Sequence, residues 1–430
     1  MLLKNTLLMA GTTAVRLAAG FLVFVVVARH LGATGFGHFI YWTTVATLLA
    51  LVVNFGTGPY MLRELGARPE QRRHIVGSVG AAKLVLAALV LGASVLAAPW
   101  LADGALLMLL LVMALGDVAS EYAFCAFRGA GDYLTEVWMS TLSAMLHLLL
   151  VGAAVWAGAS VWQIGAVFAL SRLGSALAAL QLYRRRFGAL GIADGWHHWR
   201  PALRANRSYA ADAFLTNLYT QADSLLLNHL AGPAALGVYQ AGMRLLQGLN
   251  NVAPVLSNVY LPKLAGELHA RQSHRHTATL LYVQLVGFGA VVAALFALAG
   301  PAIAQLIYGS QFAALGQLLP WIGGLLMLRL FASNYGILLT AAGQQSTRVW
   351  AIIACLLVLV ASGAVLVPRA GALGMVWSVT LATLALAGVY FYRVMRGPAN
   401  PHMRGGMLAA AFIFMLVLGS LLGRQTVGTL

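Results

Sequence analysis

Charged side chains placed inside long apolar stretches are the residues of this sequence best suited to chemistry. Four of them are arginines: Arg16, Arg172, Arg244 and Arg329. A charge within hydrocarbon is costly, so such a side chain usually faces a cavity or a partner. Guanidinium groups bind phosphate and diphosphate through paired, charge-assisted hydrogen bonds. The arginines therefore predict a cavity that binds a phosphate-bearing group.

Acidic residues occur in the same kind of stretch and leave two interpretations open. Asp117 and Glu121 lie one helical turn apart on a single face, and Asp223 lies in a later stretch. Each acid can neutralise one of the arginines. Alternatively, an acid that changes its protonation state can couple transport to H+ or Na+. We predict Asp117 and Asp223 as the candidate ion-coupling residues.

Two polar stripes follow one another in the second half of the chain. Ser208, Asp212, Thr216, Tyr219 and Asp223 are spaced four, four, three and four residues apart, which places them on one helical face. The next stretch continues with Arg244, Gln247, Asn251, Pro254 and Asn258. The stripes can form a dry polar seam or line a water-filled cavity. The arginines favour the cavity, whose predicted neutral polar lining is Thr216, Tyr219, Gln247, Asn251 and Asn54.

Composition identifies the elements that carry these residues as membrane-spanning helices. Hydrophobic residues make up 61% of the 430 residues and charged residues only 9%, against roughly 25% charged in soluble proteins. The two cysteines lie in apolar segments and have neither disulfide nor zinc spacing. Arg16 interrupts the first apolar run, and no good cleavage site follows, so we interpret that run as an uncleaved helix. The sequence therefore predicts an all-α polytopic membrane protein.

Twelve apolar stretches are long enough to span a bilayer, which takes roughly 20 residues each. These predicted spans 1 to 12 cover 7–28, 37–60, 77–98, 104–127, 137–157, 161–183, 208–230, 236–260, 278–299, 315–341, 349–367 and 371–392. The uncharged stretch 405–423 is a candidate thirteenth helix at the C-terminus and can instead lie at the membrane surface. Lys83, near the start of span 3, is expected to reach the inner headgroups.

Internal repeats divide these spans into two sets of six. The segment 130–138, AGDYLTEVW, returns at 342–350 as AGQQSTRVW. Gly32, Gly37 and Phe39 return as Gly232, Gly237 and Tyr239, and 165, 183 and 184 return as 374, 392 and 393. Displacements of 200, 212 and 209 residues indicate a duplicated half. Two six-helix lobes in parallel repeat, around a central cavity, are the predicted architecture.

Lysine and arginine positions assign an orientation to the spans. They concentrate in alternate connections, which places the N-terminus in the cytoplasm and gives both halves the same orientation. The predicted domains are an N-lobe at 1–183, a basic linker at 184–207, a C-lobe at 208–396 and a tail at 397–430. The linker sequence Trp196–Arg200 predicts a lateral helix on the inner leaflet, with an ordinary basic linker as the alternative.

The sequence offers little for other functional classes. The net charge of +16 lies in short connections between spans, which argues against nucleic-acid binding. A GxxxxGK[ST] phosphate loop, a GxSxG elbow and an HExxH motif are all missing from the sequence. His269, His274 and His276 lie in a basic connection, where solvation is the simpler explanation. We expect no enzymatic activity, no cofactor and no metal site.

Several short motifs together resemble a known family. The segment 28–39, ARHLGATGFGHF, resembles the opening of the oligosaccharide flippases of the Wzx type, and 54–65 resembles their second-helix exit. The similarity is strongest from Asp223 through Gly232, Tyr239 and Arg244 to Pro262. These flippases belong to the multidrug/oligosaccharidyl-lipid/polysaccharide (MOP) exporter superfamily. An acid often replaces Asn54 in that family, so this departure weakens ion coupling at that position.

The resemblance implies a function and a location. It implies a flippase for polyprenyl-diphosphate-linked oligosaccharide, of the undecaprenyl type, which moves from the cytoplasmic to the outer face by alternating access. It further implies a role in surface polysaccharide (O-antigen type) biosynthesis in the bacterial inner membrane. Arg16, Arg172, Arg244 and Arg329 are then the expected diphosphate and glycan contacts. Membrane lipids are the other expected partners, and we expect a monomer.

Three alternatives stay open. A drug or metabolite exporter of the same superfamily, coupled to a cation, shares the architecture but usually has more acids than cations in its cavity. A membrane-embedded glycan polymerase or transferase needs a large outer loop with catalytic residues, which this sequence lacks. A flippase for the peptidoglycan lipid precursor typically has two further helices, and 405–423 supplies at most one.

Overall fold

The computed structural model describes the backbone of residues 2–270, 272–397 and 399–400. Helices and turns make up this part of the chain, and it contains no strand. The candidate thirteenth helix at 405–423 and most of the predicted tail lie outside the described residues. The all-α prediction is confirmed.

Twelve long helical segments correspond to the twelve predicted spans within the described residues. Three continuous helices, Leu2–Asn54, Trp199–Asn250 and Gln345–Arg396, each bend once, at Gly32, Gly232 and Gly371, and so supply two spans apiece. The other six spans are Arg72–Ala97, Gly104–Gly129, Tyr133–Trp156, Val161–Phe187, Arg275–Tyr308 and Ala313–Ala341. Short helices, Thr57–Ala67 and Val252–His269, extend spans 2 and 8 past a break.

The apolar character of the helices follows the sequence pattern. Within the described residues, eight helical segments are long and apolar enough to cross a membrane, judged by length and composition. They include all the spans except those of Trp199–Asn250 and Val252–His269, which carry the predicted polar stripes. The chain is therefore a multi-pass membrane protein whose seventh and eighth spans are its most polar.

The described chain divides into two compact units. Unit 1 contains the residues up to Leu31 together with His38–Gln221, and unit 2 contains Gly32–Gly37 together with the residues from Ala222 onward. The boundary therefore falls inside span 7, not within the linker at 184–207. The early part of span 7 contacts unit 1, because the Asn206 amide donates to the Phe55 carbonyl and Tyr209 lies beside Arg63.

The beginning of span 7 corrects one sequence expectation. The helix starts at Trp199 instead of at 208, since no helix-breaking residue interrupts the sequence between Pro201 and Gly232. Ahead of it, two short helical turns at Ile192–Gly195 and Trp196–His198 pack on span 3. The linker therefore docks on protein, through an Arg73–Asp194 ion pair of 2.9 Å and a ring contact between His74 and His198.

Two repeat-related glycines bend the chain in the same way. Gly32 has φ 68° and ψ 178°, and Gly232 has φ 80° and ψ 177°. Glycine adopts such a conformation without the steric cost that a side chain brings. Pro233 follows directly, at the start of the new helix, where its missing N–H group is harmless. The repeat read from the sequence is therefore present in the backbone conformation.

The residues after these bends cross at very short range within unit 2. A Cβ atom on Gly37 would lie 1.7 Å from the Pro233 carbonyl oxygen, and one on Gly237 would lie 1.9 Å from the Ala33 carbonyl oxygen. The two contacts are equivalent under the 200-residue displacement. Phe36 also packs edge-on against Phe312 at 6.3 Å. These contacts explain why Gly32–Gly37 belongs to unit 2.

The repeated segments 130–138 and 342–350 begin with the same kind of turn in both halves. Gly131 and Gly343 have φ values of 78° and 71° and end the preceding helix in the same kind of turn. Asp132 then caps span 5 by accepting from the Thr135 amide, and it pairs with Arg186 at 2.7 Å. Partial burial opposes ionisation, but the bonds from Thr135 and Arg186 outweigh it and lower the pKa of Asp132.

Replacing Gly37 with alanine tests the crossing. The added methyl group must push the two backbones apart, and overpacking of this kind typically costs about 1–3 kcal/mol. We expect G37A to lower the thermal unfolding midpoint of the detergent-purified protein, measured by fluorescence-detected gel filtration. G248A is the matched control, because a Cβ atom there meets nothing within 4 Å. Equal midpoints for the two variants would contradict a tight crossing.

Candidate functional site

A cavity of about 380 Å³ lies inside unit 1, within the range of roughly 300–1,000 Å³ typical of small-ligand sites. Spans 1, 4, 5 and 6 surround it. Its lining consists of Arg16, Gly20, Val23, Asp117, Ser120, Glu121, Phe124, Ser140, Ser143, Ala144, His147 and Arg172. Three residues predicted from the sequence, Arg16, Asp117 and Arg172, therefore share one cavity.

Spans 4 and 6 hold an ion pair at the cavity wall. Arg172 Nε lies 3.5 Å from Asp117 Oδ1, with side-chain exposures of 29% and 52%. Gly116 makes the position possible, because a Cβ atom there would lie 2.8 Å from the Arg172 backbone. A long ion pair that is still open to solvent contributes little stability. Arg172 and Asp117 therefore form a long ion pair between spans 6 and 4 at the cavity wall.

Spans 5 and 6 are joined by two short polar contacts beside that pair. His147 Nδ1 lies 2.6 Å from Ser171 Oγ, and Ser143 Oγ lies 2.6 Å from Ser175 Oγ. The His147 ring also packs edge-on against Phe168 at 4.5 Å. One residue of each contact lines the cavity, so the contacts fix the position of that wall.

A second group of charges lies where the cavity wall continues along spans 4 and 5. Arg128 pairs with Glu121 at 2.5 Å and with Glu136 at 3.1 Å. Glu121 also accepts from the Cys125 thiol at 3.3 Å. Arg16 acts electrostatically on Glu136. Glu121 is thus neutralised by Arg128 instead of by one of the four predicted arginines.

Asn54 lies at a helix break and does not line this cavity. Span 2 ends there, and Phe55 and Gly56 have φ values of 47° and 61°. The Lys83 ammonium group donates to the Asn54 carbonyl at 3.3 Å and to its side-chain oxygen at 3.4 Å. Lys83 is only 8% exposed, so the expectation that it reaches the lipid headgroups was wrong. The carbonyl left without a helical partner by the break attracts the ammonium group inward.

Asp223 lies at the centre of a buried cluster in unit 2. Its carboxylate accepts from the Ser224 amide at 2.6 Å and from the Tyr239 hydroxyl at 2.6 Å. The Gln240 side-chain amide donates to Ser224 Oγ at 2.5 Å. These bonds connect the helix before the Gly232 bend to the helix after it. Asp223 therefore holds the bend together, whatever further role it has.

The two remaining arginines lie in unit 2 near Asp223. Arg329 and Arg244 both interact electrostatically with that carboxylate. Arg244 Nη1 also donates to Gln247 Oε1 at 3.3 Å, and the Asn251 amide donates to the Gln247 carbonyl at 3.1 Å. Unit 2 therefore contains five of the predicted site residues, Asp223, Arg244, Gln247, Asn251 and Arg329.

Thr216 and Tyr219 belong to unit 1 on span 7, where Thr216 is exposed and Tyr219 is half-buried. The unit 1 cavity is not lined by either residue. Sequence reasoning missed His147, Ser140 and Ser143, which do line it. Their spacing of three and four residues along span 5 is a helical-face signal that could have identified them.

Comparison with known proteins now adds to this geometry. Residues 2–268 match the family described as "Polysaccharide biosynthesis protein", which is more than half of the chain. The chain belongs to the polysaccharide biosynthesis protein family. This membership confirms the resemblance inferred from the sequence motifs.

One curated relative is the amylovoran biosynthesis protein AmsL of Erwinia amylovora. The two sequences are 30% identical over 148 residues, which is 34% of this chain and 38% of the relative. The match therefore covers much less than two thirds of the relative's length.

Solved structures with the same fold include two transporters. The lipid II flippase MurJ in an inward closed conformation aligns with TM-score 0.73 at 12% identity, covering 98% of this chain and 100% of that chain. An inward-facing multidrug resistance MATE family transporter of the MOP superfamily aligns with TM-score 0.69 at 16% identity, covering 95% and 96%. At these identities the likeness establishes the fold alone, and it confirms the predicted superfamily fold.

Removing the Tyr239 hydroxyl tests the role of the Asp223 cluster in this polysaccharide biosynthesis family member. Y239F leaves one carboxylate oxygen of a buried acid without its donor, which costs about 1–3 kcal/mol. We expect a lower thermal unfolding midpoint in detergent than for the wild type. Y133F, at a position 51% exposed, is the matched control and should behave like the wild type. An unchanged midpoint for Y239F would show that the hydrogen bond from Tyr239 to Asp223 does not stabilise the Gly232 bend.

Proposed function

We propose that this protein is a flippase that moves a polyprenyl-diphosphate-linked oligosaccharide from the cytoplasmic face to the outer face of the bacterial inner membrane. The observation that carries the proposal is the pair of arginines, Arg16 and Arg172, in one cavity among apolar helices of a polysaccharide biosynthesis family member. A cationic site among membrane-spanning helices is costly to maintain and is usually kept for an anionic ligand or for ion transfer.

The geometry of Arg172 suits a phosphate that arrives and leaves. Its partner Asp117 is 3.5 Å away and half exposed, so an incoming phosphate can replace the carboxylate without leaving the guanidinium unpaired. Phosphate oxygens offer the paired acceptors that guanidinium prefers. Release of the phosphate restores the original ion pair. The site can therefore bind an anion with modest net affinity, as a transport cycle needs.

The chemistry of the cargo explains why a protein is needed. A diphosphate with attached sugars cannot cross hydrocarbon unaided, because each unpaired polar group costs several kcal/mol there. The polyprenyl chain is apolar and can stay in the bilayer. We propose alternating access as the mechanism, with the N-terminus in the cytoplasm and with Asp117 and Asp223 as the acids that could couple transport to H+ or Na+.

Arginine variants test the proposal in the natural host. Deleting the gene should abolish the surface polysaccharide and cause lipid-linked glycan to accumulate, and the wild-type gene should reverse both effects. Complementation with R16A or R172A should fail, with a flipping rate about ten- to a hundredfold lower, because a hydrogen bond to a charged group contributes about 1.5–3 kcal/mol. Surface glycan is measured by immunoblotting and accumulated intermediate by mass spectrometry.

Two controls separate binding chemistry from folding and from charge. R369A removes an exposed arginine from unit 2, outside the cavity, and should complement fully. R172K keeps the charge but loses the paired donors, so it should complement less well than the wild type. Normal surface glycan in both R16A and R172A, at wild-type protein levels, would rule out the proposed role of the cavity.

A cation-coupled drug or metabolite exporter is the second candidate. The cavity also holds the half-exposed carboxylates of Asp117 and Glu121, which suit a cationic compound. If this were the function, the deletion strain should become more sensitive to cationic dyes and antibiotics while its surface polysaccharide stays normal. We expect instead that the deletion strain loses its surface polysaccharide and keeps its drug resistance. Minimal inhibitory concentrations, measured by broth microdilution, should change less than about twofold.

A further inference from the structure

One ring nitrogen of His147 is buried, and it has no role in the phosphate binding proposed above. The side chain lines the unit 1 cavity and is 2% exposed. Its Nε2 atom is buried and has no hydrogen-bond partner among the described residues. An unsatisfied buried polar atom costs about 1–3 kcal/mol. Because His147 is one of the residues that line the cavity, a ligand group that enters the cavity is the candidate partner for this atom.

The neighbouring serine contacts the other ring nitrogen, Nδ1. Ser171 Oγ has a single hydrogen and lies 3.0 Å from the Phe168 carbonyl oxygen, which can only accept. The same hydroxyl oxygen lies 2.6 Å from His147 Nδ1. When its hydrogen points to Phe168, the oxygen accepts at the shorter contact and Nδ1 is the donor. In that arrangement the neutral imidazole leaves Nε2 as an acceptor.

Other cavity oxygens are acceptors for the same reason. Ser140 Oγ donates its hydrogen to the Val137 carbonyl at 3.1 Å, which leaves only lone pairs for a ligand. The carboxylates of Asp117 and Glu121 also only accept. Beside the donors of Arg16 and Arg172, the wall thus presents several acceptors. An ionised phosphate has no hydrogen to donate to these acceptors, whereas a hydroxyl group has one.

We propose that His147 is a specificity-determining residue that accepts a hydrogen bond, through Nε2, from a hydroxyl group of a sugar in the transported headgroup. Ser171 is a positioning residue that holds the imidazole in the accepting tautomer. Unit 1 then recognises the region where phosphate joins sugar, with arginines on the phosphate and His147 on the sugar. This assignment rests on the proposed function and deepens it by naming a sugar hydroxyl as a group that the cavity binds.

Paired lipids separate the two parts of the site. The full-length protein in detergent is titrated with undecaprenyl diphosphate, which has no sugar, and with the lipid-linked glycan extracted from the deletion strain. Binding is followed by microscale thermophoresis. Asparagine at position 147 can keep the bond to Ser171 while removing the ring nitrogen Nε2. We expect H147N to weaken binding of the glycan lipid about three- to tenfold, the loss of one net hydrogen bond, and to leave undecaprenyl diphosphate binding unchanged.

Three variants control this measurement. R172A should weaken binding of both lipids, since it acts on the phosphate. H229N changes an exposed histidine elsewhere and should change neither. H147Q places a side-chain oxygen near the former Nε2 position and should recover part of the preference for the glycan lipid. The thermal midpoint of each variant shows that it is folded.

The tautomer is tested independently of any ligand. Histidine-selective ¹⁵N labelling, with the His147 signals assigned by their loss in H147N, reports which ring nitrogen is protonated in the wild type. We expect Nδ1 protonated in the wild type and a mixture of tautomers in S171A. A proton on Nε2 in the wild type would overturn the proposal, as would an equal loss of both lipids in H147N.

The outcomes distinguish this inference from the function on which it rests. If the wild type binds both lipids but H147N weakens both equally, or weakens neither, the flippase proposal stands and the role of His147 is wrong. If the wild type binds neither lipid, the proposed function fails, and the inference fails with it.

Discussion

Polar and charged side chains inside apolar helices must find partners, and the arrangement of this protein depends on that constraint. Leaving such a group unpaired in a low-dielectric interior costs several kcal/mol. Arg172 is accordingly held by Asp117, and Arg128 lies between two glutamates. Lys83 turns inward to a carbonyl that a helix break exposes. The cavity of unit 1 is where these pairings are weakest and most open to solvent, so it is where a ligand can compete.

The duplicated halves share their bends but not their polar chemistry. Gly32 and Gly232 have nearly the same backbone angles, and the residues after them cross at a distance that only glycine permits. Across the Gly232 bend, Asp223 and Ser224 bind the side chains of Tyr239 and Gln240. The residues at the corresponding positions of the first half are Val23, Phe24, Phe39 and Ile40. These four positions of the first half are apolar, so of the two bends only the second has a buried carboxylate at this place.

Much of the fold could be predicted, because span length and repeat spacing are local properties of the sequence. The twelve spans and the turns at Gly131 and Gly343 follow from apolar runs and glycine positions. The start of span 7 could not be predicted, because polarity ahead of a span does not end a helix. The polar stripe from Ser208 to Asp223 is uniform in the sequence. In the structure its first four residues belong to unit 1, and Asp223 belongs to unit 2.

The sequence alone determined that this chain crosses the membrane many times, that its halves are repeats, and that four arginines lie within its spans. These facts depend on composition and spacing along one helix. Only the tertiary structure decided which charges meet, because partners such as Arg172 and Asp117 lie on different helices, brought together where Gly116 allows close packing. It also decided that His147 belongs to the cavity and contacts Ser171, since both depend on neighbouring helices that no spacing rule identifies.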